Sequence, residues 1–243
     1  GVDYETLSKI NPRLVYCELT GYGRKGPDAH LPGYDMILQA MSGLMAAEGK
    51  VIDDVPQQIS ASPLIDVTSG FCLTWSVCAA LYARERTGKG QKIETSLLAS
   101  GLALMGARFL EVDELDTENR SKSLEQMANK RASSSPYEEL RAASPGSQRY
   151  GHHGNIYYRV YLAKDGPIGI GCLNDRLRQR LLVTLDLTDI RFEPGYDPNS
   201  QVAQEFGAEL ERKAIALFSQ RTIKEWLGIM SESGIPAGPV RFA

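Results

Sequence analysis

Apolar and polar positions change rhythm several times along the chain, and each change marks an element. Residues 14–17 (LVYC) form a short apolar run that predicts a buried strand. Residues 36–47 (MILQAMSGLMAA) are apolar nearly all round, which predicts a buried helix. A loop with Asp53, Asp54 and Pro56 leads to residues 67–86, where Phe71, Thr74/Trp75, Cys78 and Leu81/Tyr82 recur at three- and four-residue spacing. That spacing predicts a second buried helix, closed by Gly88, with Arg84 and Arg86 in its last turn. Residues 91–97 alternate through Ile93, Thr95 and Leu97 as a strand. Strand, helix and strand in this order predict an α/β fold with a parallel sheet.

Residues 98–115 continue as a helix with Leu98, Leu102, Met105 and Phe109 on one face. Between 113 and 148 Glu, Ser, Asn and Lys dominate, as in a linker or a polar helix with loops. Residues 156–162 and 168–172 predict two strands joined at Lys164-Asp165-Gly166. Helices follow at 175–186, 200–218 and 222–233, and the pattern ends at Gly234-Ile-Pro-Ala-Gly-Pro239. The expected organisation is a large domain over 1–112, a linker over 113–150, a small α+β domain over 151–238 and a return linker starting at 239–243.

Composition narrows the function classes. A chain of 243 residues, 42% hydrophobic, can bury a sizeable core. A net charge of −3 leaves no basic footprint for nucleic acid or an anionic membrane. No run approaches the ~18 consecutive apolar residues of a membrane span. The four cysteines lack zinc spacing, and Cys72 and Cys78, six apart on a helix, do not face each other. They read as core thiols of a reducing, cytoplasmic setting. With three histidines, two of them neighbours at 152 and 153, neither a Ser-His-Asp set nor a metal cluster can be assembled. Chemistry must then rest on carboxylates, tyrosine or backbone amides, with no metal.

Gly21, Gly23 and Gly26 reproduce the G-x-G-x-x-G spacing of dinucleotide-binding loops. That motif requires a helix running on from the third glycine, and Pro27 and Pro32-Gly33 forbid one. No nicotinamide or flavin is expected. Asp66 lies between the apolar Pro63-Leu-Ile65 and the start of a helix. It can cap that helix, or it can serve as a nucleophile whose ionised form the helix N-terminus favours. Tyr34 and Asp35 precede the helix at 36–47; they can bind a ligand carbonyl or phosphate, or they can cap and pack.

Taken in order, several stretches resemble class III CoA-transferases of the CaiB/BaiF type: Asn11-Pro-Arg-Leu-Val-Tyr-Cys17, Thr20-Gly-Tyr-Gly-Arg-Lys-Gly-Pro27, Pro32-Gly-Tyr-Asp35 with Gln39-Ala-Met-Ser-Gly43, Pro63-Leu-Ile-Asp-Val-Thr-Ser-Gly70 and 79–91. Residues 158–171 and 234–239 resemble the family's second-domain hairpin and return segment. The resemblance implies a Rossmann-like large domain plus a smaller α+β domain joined by linkers, in an interlocked homodimer. It implies coenzyme A, as acyl-CoA, and a small carboxylic acid as substrates. Asp66 stands at the nucleophile's place, forming an anhydride and then an aspartyl-CoA thioester, with oxyanion support from backbone amides and loop glycines.

Tyr34 and Asp35 match positions lining the coenzyme A cleft, and residues 145–154 fall near a glycine-rich loop of some members. Arg149, Arg159, Arg176 and Arg178 can hold a distal acceptor carboxylate or can be solvated surface groups; succinyl-CoA and a small dicarboxylic or hydroxy acid are the family's habit. Members carry a longer N-terminal βαβ segment, so these residues are expected to be one segment of a longer protein. The same family includes α-methylacyl-CoA racemases, which place a histidine base where this chain has Tyr34, a poor base at neutral pH. A non-catalytic coenzyme A-binding segment is the other alternative.

Overall fold

The computed structural model describes residues 1–109, 112–145, 155–196 and 201–242, in two compact units, Gly1–Tyr150 and Gly151–Ala243. The first unit opens with α1 (Tyr4–Ile10), whose first turn is capped by the Asp3 carboxylate accepting from the Thr6 amide at 2.8 Å. Strand β1 (Val15–Thr20) comes next, then α2 (Asp35–Met41), α3 (Leu44–Glu48), the short hairpin β2 (Val51–Ile52) and β3 (Val55–Pro56), and the long α4 (Leu64–Thr87). Strand β4 (Gln91–Ser96) returns beside β1, and the two pair in parallel from Val15–Gln91 to Thr20–Ser96. The parallel α/β pairing predicted from the alternating pattern is therefore present. Helices α5 (Leu97–Met105), α6 (Asp113–Ala132) and α7 (Tyr137–Ala143) complete the unit.

Several elements differ from expectation. The single buried helix predicted over 36–47 is two helices, because Gly43 turns left-handed at φ 85° and starts a new one. Leu38, Gln39, Ser42 and Met45 are buried there, while Met36, Ile37 and Met41 face solvent. The predicted helix over 98–115 stops at Met105, where Gly106 takes φ 50° and a 3-10 turn, Gly106–Phe109, follows. The loop at Asp53-Asp54 is a hairpin turn; both residues have positive φ, as a type I′ turn demands. The polar stretch beyond residue 112 is mostly helix, α6 and α7, with Lys130 paired to Glu139 at 2.7 Å.

The largest correction concerns α4. Its predicted core stripe, Phe71, Trp75, Cys78 and Tyr82, lies on the solvent side; Phe71, Trp75 and Tyr82 are 59%, 72% and 62% exposed. The buried side carries Ile65, Ser69 and Ala80. Small residues win that face because they let α4 come close to its neighbours. Ser69 donates to Ser100 of α5 at 2.7 Å, and a side chain at Gly101 would meet both Ile65 and Ser42. Both faces of α4 are apolar, so periodicity alone could not choose between them. By length and composition α4 could cross a bilayer, yet its small-residue side is packed within this unit. The thiols are free, and Cys172 alone of the four is buried, so the expectation of core cysteines fails for Cys17, Cys72 and Cys78.

In the second unit β5 (Tyr158–Ala163), β6 (Gly166–Gly171) and β7 (Ala237–Pro239) form an antiparallel sheet in that order. The third strand was not foreseen: Gly234–Pro239 read as an end of pattern and as resembling the family's return segment. Helices α8 (Asp175–Leu185), α9 (Gln201–Phe218) and α10 (Ile223–Glu232) match the predicted helices within a residue or two at each end. Tyr161 of β5 stacks on Phe218 of α9 at 4.0 Å between ring centres, and Phe218 meets Trp226 of α10 at 4.6 Å. Each polar tip finds a carbonyl, the Tyr161 hydroxyl donating to Ile156 and the Trp226 indole N–H to Phe218. Beside this core, Asp189 accepts from the buried Tyr157 hydroxyl at 2.5 Å and pairs with Arg191 at 2.7 Å.

Candidate active site

Helix α4 begins after Pro63, which offers no side chain to cap the orphan amides of the first turn. Asp66 sits in that first turn with its carboxylate exposed. The capping task foreseen for it falls to Asp35 instead. One Asp35 carboxylate oxygen accepts from the Ile65 amide at 2.8 Å and the Asp66 amide at 3.2 Å, across 30 and 31 residues of sequence. Asp35 opens α2 after Tyr34 and makes no cap hydrogen bond to its own helix, so its side chain serves α4.

The second Asp35 oxygen accepts from the Gln39 side-chain amide at 2.5 Å, one turn along α2. Gln39 is 0% exposed and engages the backbone of Ile59 twice, accepting from its N–H at 2.9 Å and donating to its carbonyl at 3.3 Å. Residues 60–63 are thus bracketed, tied through Gln39 before them and through Asp35 after them. Sequence reasoning gave Gln39 a place in a family motif and no task. The signal was there: a glutamine in the middle of MILQAM, on a stretch predicted buried, requires a partner for each polar atom.

Asp35 and Asp66 come together, since the Asp35 carboxylate touches the Asp66 amide, and Tyr34 precedes Asp35 at the N-cap of α2. Tyr34 is 71% exposed, so the half-buried packing considered for it does not occur. At the end of β1 the fingerprint glycines have a purely backbone task. A Cβ on Gly33 would lie 2.5 Å from the Gly21 Cα, so the two segments can cross only as glycines. Gly23 and Gly26 take positive φ, and turns rather than a helix separate Gly26 from α2. Glu18 and Glu94 stand opposite each other across the parallel pair, and Lys92 bridges them, at 3.0 Å to Glu18, with Arg24 also paired to Glu18.

The remaining sequence candidates disperse. Residues 146–154, including Arg149 and both neighbouring histidines, lie outside the described residues. Arg159 pairs with Glu211 and lies over the Tyr161 ring, and Arg178 pairs with Asp175. Arg176 lines a groove of about 400 Å³ with Gln179, Arg180, Val183, Thr184 and Ser233. Among the described residues no group of three or more His, Cys, Asp or Glu could hold a metal ion.

The first unit is therefore an α/β unit that presents an exposed carboxylate in the first turn of a long helix. A model of CoA-transferase family III matches residues 1–243, and the chain belongs to that family. It is 31% identical over 240 residues to an acetyl-CoA:oxalate CoA-transferase of Acetobacter aceti, covering 99% of this chain and 54% of the relative. It is 31% identical over 245 residues to a succinyl-CoA:glutarate CoA-transferase of Mus musculus, covering 99% and 48%. A CAIB/BAIF family protein from Brucella suis matches in structure with TM-score 0.58 and 26% identity, over 99% of this chain and 56% of that one. Rv3272 from Mycobacterium tuberculosis shares the fold with TM-score 0.67 at 22% identity, over 100% and 56%. The chain spans about half the length of the curated relatives it matches.

Proposed function

We propose that the protein containing this chain transfers coenzyme A from an acyl-CoA donor to a small carboxylic acid, with Asp66 as nucleophile. The observation that carries the reading is the exposed Asp66 carboxylate in the first turn of α4, its backbone amide held by Asp35. An Asp66 oxygen attacks the thioester carbonyl, the C–S bond breaks, and the coenzyme A thiolate leaves a mixed anhydride. The thiolate then attacks the aspartyl carbonyl, the donor acid departs as carboxylate, and an aspartyl-CoA thioester remains. The acceptor carboxylate attacks that carbonyl and releases the thiolate, which takes the acceptor acyl group and restores Asp66. Every intermediate is an activated acyl group, so the thioester's free energy is not lost to water.

Oxalate and glutarate in the relatives' names make a small dicarboxylate the acceptor of first choice. Tyr34, exposed beside the site, is proposed to meet coenzyme A, since Asp35 is committed to backbone amides. We further propose a homodimer, supported by the solvent-facing apolar stripe of α4, and a cytoplasmic setting, supported by the free thiols.

The test is to incubate the intact protein with acyl-CoA, add hydroxylamine, and locate the modified residue by mass spectrometry. Modification at Asp66, and at least a ~10³-fold loss of transfer in Asp66→Asn, are the expected results. Transfer that persists in Asp66→Ala would refute the assignment. Exchange of the acyl α-hydrogen with heavy water, without transfer to any acid, would point to the racemase instead.

A further inference from the structure

Asp66 projects from a helix start that supplies no cap of its own, and a side chain of another helix holds its backbone. We propose that Asp35, locked by Gln39, is a positioning residue that fixes Asp66 for attack; this rests on the reading of Asp66 as nucleophile.

The hydrogen-bond chain runs without a gap from Ile59 to Asp66. Ile59 N–H donates to the Gln39 oxygen, the Gln39 amide donates to one Asp35 oxygen, and the other Asp35 oxygen receives the Ile65 and Asp66 amides. Polarity is fixed throughout. The helix start offers only donors, so residue 35 must accept there. Gln39 must accept from the Ile59 N–H, which turns its NH₂ toward residue 35, so residue 35 must accept on that side as well. Only a carboxylate accepts on both sides at this length. A nucleophile must lie within a few tenths of an ångström of its attack position, and a misplacement of about 1 Å can cost about 10²-fold in rate. Tying the Asp66 backbone through a fully buried glutamine meets that requirement without any contact to substrate.

This polarity predicts the behaviour of a reciprocal pair of variants. Asp35→Asn turns an NH₂ toward the Gln39 NH₂, two donors facing each other, and breaks the chain. Gln39→Glu sets two carboxylates against each other and breaks it too. In the double variant Asp35→Asn/Gln39→Glu, the new asparagine oxygen receives the helix amides and its NH₂ donates to the new glutamate. That glutamate in turn receives the Ile59 N–H. Polarity is restored from the Ile59 N–H to Asp66 with the same single negative charge, and only the long 3.3 Å bond to the Ile59 carbonyl is lost, so recovery is partial.

The experiment measures kcat and KM for acyl-CoA in the intact protein for the two single variants, the double variant and Asp66→Ala, with thermal melting of each. We expect Asp35→Asn to lower kcat about 10²-fold with KM changed less than about twofold, and the double variant to recover at least about tenfold of that loss. An unchanged kcat in Asp35→Asn overturns the proposal, as does a raised KM at constant kcat, which would make Asp35 a ligand-binding residue. Should the single variants fail to fold, the double variant decides: folded and active supports the chain, folded and inactive overturns it. Activity in Asp66→Ala would bring down the nucleophile assignment and this role with it. A dead Asp66→Ala beside an unaffected Asp35→Asn would remove the positioning role alone.

Discussion

Asp189 and Asp66 carry the same carboxylate in opposite settings. Asp66 is exposed and free to meet a ligand, whereas Asp189 is buried between Tyr157 and Arg191. Burial by itself pushes Asp189 up, but the Arg191 side chain, the Tyr157 hydroxyl and the Arg191 amide outweigh it and hold the carboxyl below its usual range. Burial, then the Asp189 carboxylate, pushes the Tyr157 hydroxyl far above its ordinary range, so it stays a donor. A carboxyl depressed in the folded state stabilises fully above its unfolded pKa. That contribution is lost as pH falls below the ordinary value of 3.8 and through the depressed folded one. Asp189→Asn should cost about 3 kcal/mol at neutral pH, the lower end for breaking a buried pair, because Arg191 keeps some access to water. Denaturant unfolding at pH 7 and pH 3 checks this, and the difference from the parent should shrink at the lower pH.

At the scale of elements, helix starts are capped from far away as well as from nearby. Asp3, Ser96, Asn174 and Thr222 cap within their own segments, and Thr222 with Glu225 completes a capping box. Helices α4 and α7 instead begin after Pro63 and Pro136, which cannot cap, and Asp35 and Asp54 supply the acceptors. The Asp54 carboxylate receives the Tyr137 and Glu138 amides at 2.7 and 3.0 Å across more than eighty residues. Asp54 also holds φ 62° in the hairpin turn, so alanine there would mix two effects. Asp54→Gly keeps the turn and removes only the cap, and should destabilise by about 1 kcal/mol. Asp54→Asn, which keeps an acceptor, should lose less. Melting temperature, with hydrogen exchange at the Tyr137 and Glu138 amides, separates the cap from a global effect.

Across the whole molecule the two tryptophans report on different surfaces. Trp226 is buried in the second unit's aromatic stack, while Trp75 stands on the apolar outer side of α4 with Phe71 and Tyr82. Within residues 1–243, a Trp226→Phe variant leaves Trp75 as the one tryptophan. In dilute protein its emission should be red-shifted and readily quenched by acrylamide. If the proposed homodimer covers this face, raising the concentration should shift the emission to the blue and cut quenching several-fold, in step with mass measured by light scattering. Doubling of mass with no change at Trp75 would place the dimer contact elsewhere.

The amino-acid pattern alone was enough for what depends on neighbours in sequence. Strands β1 and β4, the three helices of the second unit, the β5–β6 hairpin and the Gly88 stop all rest on periods of two or 3.6 and on turn residues a few positions away. It also excluded a helix after Gly26, because proline acts locally. Tertiary structure decided the rest. An apolar helix with two apolar faces does not say which is buried; the small side of α4 went inward because Ser69, Ala80 and Gly101 permit close packing. Asp66 and Tyr34 were legible as candidates from motif order. The tie from Asp35 and Gln39 was not, since a hydrogen bond closing 30 residues depends on the path of the chain between them.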